Sequence, residues 1–269
     1  MRRGLAFTTL CLAVAGCGGG SSSGTATTKT TASKPRGVIH VVYDPPTSGA
    51  AREAKQILSL GGLDGVAKGF THSFKLPQDI TFHVVNKFVG PNYNPQTKTV
   101  TLSYAFAEYV GKLLIANKLA TNQNQLGEKW AAINDFILVH EFGHALIDLY
   151  NIPVLGKEED AADALAAVFM TKFVNGGAKY AFDAAEFLDA LSARQRNLAP
   201  SDYWDEHSLD KQRAYSIVCW IAGSNQQDYG VIKKAGIIGG DRLRSCPAEY
   251  QQRVESWYRL LKPHLNGNG

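Results

Sequence analysis

Leu138-Val139-His140-Glu141-Phe142-Gly143-His144-Ala145-Leu146 is apolar at both ends and ionisable in the middle. Its apolar spacing continues over 127–150, which predicts a helix. His140 and His144 are four residues apart, so both imidazoles leave one face of that helix and can share one metal ion. Glu141 lies beside the first histidine, where its carboxylate can reach a water on such an ion. The apolar flanks imply that this face is buried. Two unpaired imidazoles and a carboxylate would then be unfavourable by roughly several kcal/mol unless something coordinates them.

A three-ligand site with one open position needs another donor. The next predicted helix, 157–174, opens with Glu158-Glu159-Asp160-Ala161-Ala162-Asp163. Glu159 and Asp163 share a face with the small Ala162 and Ala166 and are both candidates. If the first helix ends near 150 and the second starts near 157, Asp163 comes opposite His144, which favours Asp163. Glu158 and Asp160 read as acids at a helix N-terminus, where the macrodipole favours them. A third segment, Asp205-Glu206-His207-Ser208-Leu209-Asp210-Lys211-Gln212-Arg213, places a histidine six residues before an arginine at a helix start. His207 is a candidate oxyanion donor. In the alternative reading, Ser208 or Asp210 caps the helix and His207 is a surface residue. His40, His72 and His83 have no ligand spacing and read as structural.

The His-Glu-x-x-His pattern is that of zinc peptidases. Together with the acidic segment it resembles the gluzincins, whose third ligand is glutamate. That resemblance implies one Zn2+ held by His140, His144 and Glu159, with Glu141 as general base. It places Asp163 behind a ligating histidine, His207 against the oxyanion, and Arg213 as a supporting residue. Residues 90–260 resemble a family of bacterial metallopeptidases built on a compact gluzincin core. This implies a zincin-like body and a peptide or protein substrate. Only 14 residues separate His144 from Glu159, which suits a minimal core with few specificity insertions.

Outward from these helices, 37–43 and 80–86 are short β-branched runs that read as strands. A helix is expected over 50–60. Asn92-Tyr93-Asn94-Pro95 reads as a turn before an alternating strand at Lys98–Leu102. That strand is expected at a sheet edge, where an extended peptide could add. Helices are expected over 104–118, 127–150, 157–174, 183–196, 208–223 and 247–261. A small N-terminal sheet followed by a predominantly helical body is an α+β fold, with residues 37–269 as one domain.

Met1-Arg2-Arg3 followed by an apolar run to Ala15 has the layout of a signal peptide. It ends on Val14-Ala15-Gly16-Cys17, which resembles the lipobox of bacterial lipoproteins and implies lipidation at Cys17 after removal of 1–16. Residues 17–36 are then a Gly/Ser/Thr tether. These features predict a chain held by lipid at the bacterial cell envelope, outside the cytoplasm. Cys219 and Cys246 are the two cysteines left in the body, a disulfide candidate in an oxidising compartment, with two buried thiols as the alternative. The chain carries 28 basic and 24 acidic residues; without Arg2 and Arg3 the balance is 26 against 24. With no basic cluster longer than a pair, nucleic acid is not an expected partner. No apolar run reaches the length of a membrane span. Two other functions fit the same residues: a zinc amidase acting on peptidoglycan, and a non-catalytic lipoprotein stiffened by zinc for partner binding.

Overall fold

The computed structural model describes residues 36–60, 62–193 and 198–266. The signal peptide, the lipidated Cys17 and all but the last residue of the tether lie outside the described residues. From Arg36 onward the described chain packs as one unit. Four strands come first: β1 (Ile39–Tyr43), β2 (Ile80–Val85), β3 (Asn92–Asn94) and β4 (Thr99–Ser103), with α1 (Gly49–Leu60) and α2 (Leu63–Ser73) between the first two. Helices follow: α3 (Tyr104–Ala116), α4 (Gln123–Tyr150), α5 (Glu158–Phe173), α6 (Gly177–Ser192), α7 (Pro200–Trp204), α8 (Asp210–Ser224), α9 (Gln226–Ala235) and α10 (Gly240–Leu261). The fold is α+β, as its patterning implies.

The sheet order is β1-β2-β4-β3. β1 pairs parallel with β2, β2 parallel with β4, and β3 antiparallel with β4. Parallel neighbours need a crossover, which α1 and α2 supply between β1 and β2. In β2 alternate residues Ile80, Phe82 and Val84 are fully buried, so one sheet face is the apolar one. It rests on the helical body through Phe142 from the centre of the α4 motif. That ring meets Phe82 edge-on and stacks on Phe70 of α2 at 4.1 Å. The motif helix is thereby anchored beneath the sheet.

Several expectations are corrected. β4 is not an edge: β3, which reads as a turn, covers it, so the edges are β1 and β3. Three residues are too short for alternation to show, and Asn-rich composition masks the strand. α2, α7 and α9 have no counterpart among the expected helices. α6 begins at Gly177 and not near 183. α10 begins at Gly240 and runs through Pro247, although proline favours a first turn. Leu243, Cys246 and Tyr250 line one buried face across the proline, and their packing holds the helix together there. Cys219 of α8 and Cys246 of α10 are disulfide-bonded, with Cα atoms 5.1 Å apart. None of the described helices is long and apolar enough to cross a membrane.

Candidate metal centre

α4 is capped by Asn122, whose side chain accepts from the Gln125 backbone N–H, and ends on Asn151 in the left-handed region. Its last three turns carry His140 and His144. A seven-residue loop reverses the chain, and α5 packs back against α4. Contact is close because Gly143 faces α5: a Cβ there would lie 3.4 Å from Ala162 and 3.3 Å from the Leu165 side chain. Ala162 and Ala166 are fully buried at the same seam. Small residues on both helices bring the acidic start of α5 against the two histidines.

Three donor atoms converge. His140 Nε2 lies 3.2 Å from His144 Nε2 and 3.0 Å from Glu159 Oε2, and His144 Nε2 lies 3.4 Å from Glu159 Oε1. His140, His144 and Glu159 are the group among the described residues whose ligand atoms could hold a metal ion. A tetrahedral ion with bonds of about 2.0–2.2 Å holds its ligands roughly 3.3–3.6 Å apart, so these donors, 3.0–3.4 Å apart, have to open by only a few tenths of an ångström to take one. Asp163 takes another place. It accepts from His140 Nδ1 at 2.9 Å, behind the ring, and from Arg213 Nε and Nη2 at 2.7 and 2.9 Å. The expected meeting of Asp163 with His144 is therefore corrected: α5 starts so that Glu159 reaches both Nε2 atoms and Asp163 backs His140.

Glu158 is also more than a helix-terminal acid, since it accepts from His144 Nδ1 at 2.8 Å. Each histidine thus has a carboxylate behind it, which fixes the tautomer that aims the Nε2 lone pair at the shared position. Asp160 instead accepts from Ser208 Oγ at 3.0 Å and ties α5 to the segment before α8. His207 Nε2 lies 3.0 Å from Glu159 Oε2, and Asp205 accepts from its Nδ1 and its backbone N–H. Lys157 donates to the Asp205 and His207 carbonyls and pins this loop. Sequence reading passed over Glu158, Asp205 and Lys157 as site residues. The Asp-x-His spacing at 205–207 was the one available signal.

Charge at the centre follows from this packing. Burial works against charge on His140, but Asp163 and Glu159 outweigh it and push the imidazole up to about 10. His144 is likewise raised, by Glu159 and Glu158 against burial. Burial opposes ionisation of Asp163 and Glu159, yet Arg213 and His140 hold Asp163, and the three histidines hold Glu159, well below the usual carboxylate range. Glu141 is 6% exposed and burial raises it. Its carboxylate makes no hydrogen bond among the described residues and lines a cavity of about 150 Å³ together with His140, His207 and Arg213.

Two histidines and a glutamate around one point, with a second carboxylate free beside them in a cleft, form the donor set of a metal-dependent hydrolase. A family model described as "Putative metallopeptidase" matches residues 43–261, and the chain belongs to that family. No curated protein and no solved structure matches it.

Proposed function

We propose that this chain is a zinc metallopeptidase of gluzincin type, held at the bacterial cell envelope by lipid on Cys17. The convergence of His140, His144 and Glu159 beside a free Glu141 carries the reading. Zinc bound there supplies a Lewis acid that lowers the pKa of a water to about 7 and polarises the scissile carbonyl.

The chain's own groups do the rest. Glu141 accepts the proton as water oxygen bonds to the carbonyl carbon. It returns that proton to the amine nitrogen as the C–N bond breaks. The raised affinity of Glu141 for a proton suits this exchange. With substrate in place, His207 turns its Nε2–H from Glu159 to the oxyanion that develops, while Asp205 keeps hold of Nδ1. Arg213 keeps Nε and Nη2 on Asp163, which leaves Nη1 to donate to a substrate carbonyl in the cavity it lines. The peptide would add at the free edge of β3, whose neighbour Pro91 lines the same cavity. The Cys219–Cys246 disulfide and the Met1–Cys17 segment support the exported location.

Metal analysis of the purified chain, with turnover of casein-type peptides and of purified sacculi, tests this. One zinc per chain and release of products from peptides alone are expected. Product from sacculi alone would make it a peptidoglycan amidase, and a zinc-free chain with no turnover would overturn both.

A further inference from the structure

The cavity beside Glu141 is too small for most small-molecule ligands, whose sites run from about 300 to 1,000 Å³, and suits a single side chain. Its walls are apolar: Phe106 of α3, Ile133 and Ile137 of α4, and Phe187, Leu188 and Leu191 of α6. At the α8 end it meets Asp210. The other ionisable residues of the cavity are occupied. Arg213 is held by Asp163, His207 by Glu159 and Asp205, and His140 by Asp163 and Glu159, while Glu141 serves the reaction. Asp210 makes no hydrogen bond or ion pair among the described residues, although it is half-buried. It is the first residue of α8 and not its cap, which is Leu209. Arg213 and His207 favour the charged form of Asp210 from a distance, against burial and the nearby Asp163 and Asp205, so a cation that comes through the apolar cleft is its first direct partner.

We propose that Asp210 selects substrates: the cavity takes a lysine- or arginine-type side chain flanking the scissile bond, its aliphatic stem along α4 and α6 and its cation on the Asp210 carboxylate. This rests on the peptidase reading above. An unbranched stem matches the apolar walls, and a terminal ammonium or guanidinium forms a charge-assisted hydrogen bond where a neutral isostere cannot.

The test uses the full-length zinc-loaded chain and quenched fluorescent peptides that differ only at the two residues flanking the cleaved bond, with lysine, norleucine or glutamate there. Wild type should favour lysine over norleucine by about 10–100-fold in kcat/KM at one of the two positions. Asp210→Asn should collapse that ratio to within about twofold, Asp210→Glu should restore most of it, and Asp210→Lys should turn the preference toward glutamate. Equal use of lysine and norleucine by wild type, or a lysine preference that survives in a natively melting Asp210→Asn, overturns the assignment. Equilibrium binding of the same labelled peptides is measured in parallel. If nothing is cleaved, the peptidase reading fails, and a lysine preference in binding that Asp210→Asn removes still upholds the role of Asp210. Absence of that binding preference rejects it.

Discussion

His140, Glu141 and His144 lie within five residues of one helix, yet they should respond differently to substitution. Glu141→Gln keeps the shape of the side chain but cannot take a proton near neutral pH. It should retain metal and melting temperature while losing at least ~100-fold in turnover. Glu159→Gln should release metal, since its carboxylate meets both Nε2 atoms. Asp163→Asn should lower metal affinity by roughly 10–100-fold without abolishing it. Chelator competition and hydrolysis assays on the three variants check the series; metal loss from Asp163→Asn with full retention by Glu159→Gln would exchange their roles. Asp135, on another face of α4, makes a separate prediction. It lines a narrow apolar crevice with Leu58, Leu63, Leu102 and Leu138, and burial pushes its carboxyl from 3.8 up to about 7. Between those values the native state holds a proton that the unfolded chain has released. The contribution is fully present below about pH 4 and is lost as pH rises through 7. Asp135→Asn should therefore match wild type near pH 4 and exceed it near pH 8, by up to about 4 kcal/mol. Denaturant melts at the two pH values would settle it.

At the scale of elements, the site depends on how closely α5 lies against α4. Gly143 is the contact point, with Ala162 and Leu165 already within 3.3–3.4 Å of where a Cβ would be. Gly143→Val adds two further methyl groups and has to push the helices apart. Glu158, Glu159 and Asp163 then leave the imidazoles together. Metal affinity should fall by more than tenfold and stability by about 1–3 kcal/mol, as for overpacking in general. Gly143→Ala needs a shift of only a few tenths of an ångström and should fall between. Titration with a zinc indicator and thermal melts measure both. The helix lengths follow the same logic. α4 could be read from its apolar period, because 28 residues give that period room to appear. β3 and α7, at three and five residues, are held by neighbours and carry no period of their own.

At the scale of the whole molecule, the centre joins segments far apart in the chain: α4, α5, the 205–207 loop and α8, which the disulfide ties to α10. A buried Lys129–Asp183 pair at 3.1 Å links α4 to α6. Metal binding should therefore stabilise the entire unit and not one helix. A ligand that binds only the folded state adds about 4 kcal/mol at a free concentration 1,000 times its dissociation constant. Removing metal with a chelator should lower the melting temperature of wild type, and zinc should restore it. In His140→Ala the same treatment should change nothing. A wild-type melt indifferent to chelator would separate the cluster from metal altogether.

Local chemistry made the helix of His140 and His144, their common face, the acidic start of the next helix and the α+β order legible from the residues alone. Periodicity and spacing are properties of neighbours in sequence, and both survive without a tertiary fold. The disulfide was legible as a pair because only two cysteines remain in the body. Which carboxylate meets the imidazoles was not. Glu159 and Asp163 sit on one face of α5, and residue spacing favoured Asp163 opposite His144. The loop from Asn151 to Lys157 and the close seam at Gly143 set the axial offset between α4 and α5. That offset puts Glu159 on the Nε2 side and Asp163 on the Nδ1 side. The same holds for Glu158 on His144, for Asp205 and Lys157 around His207, and for Asp210 at the end of the apolar cavity. Each role is a distance between separate elements, and such distances arise only when the helices pack.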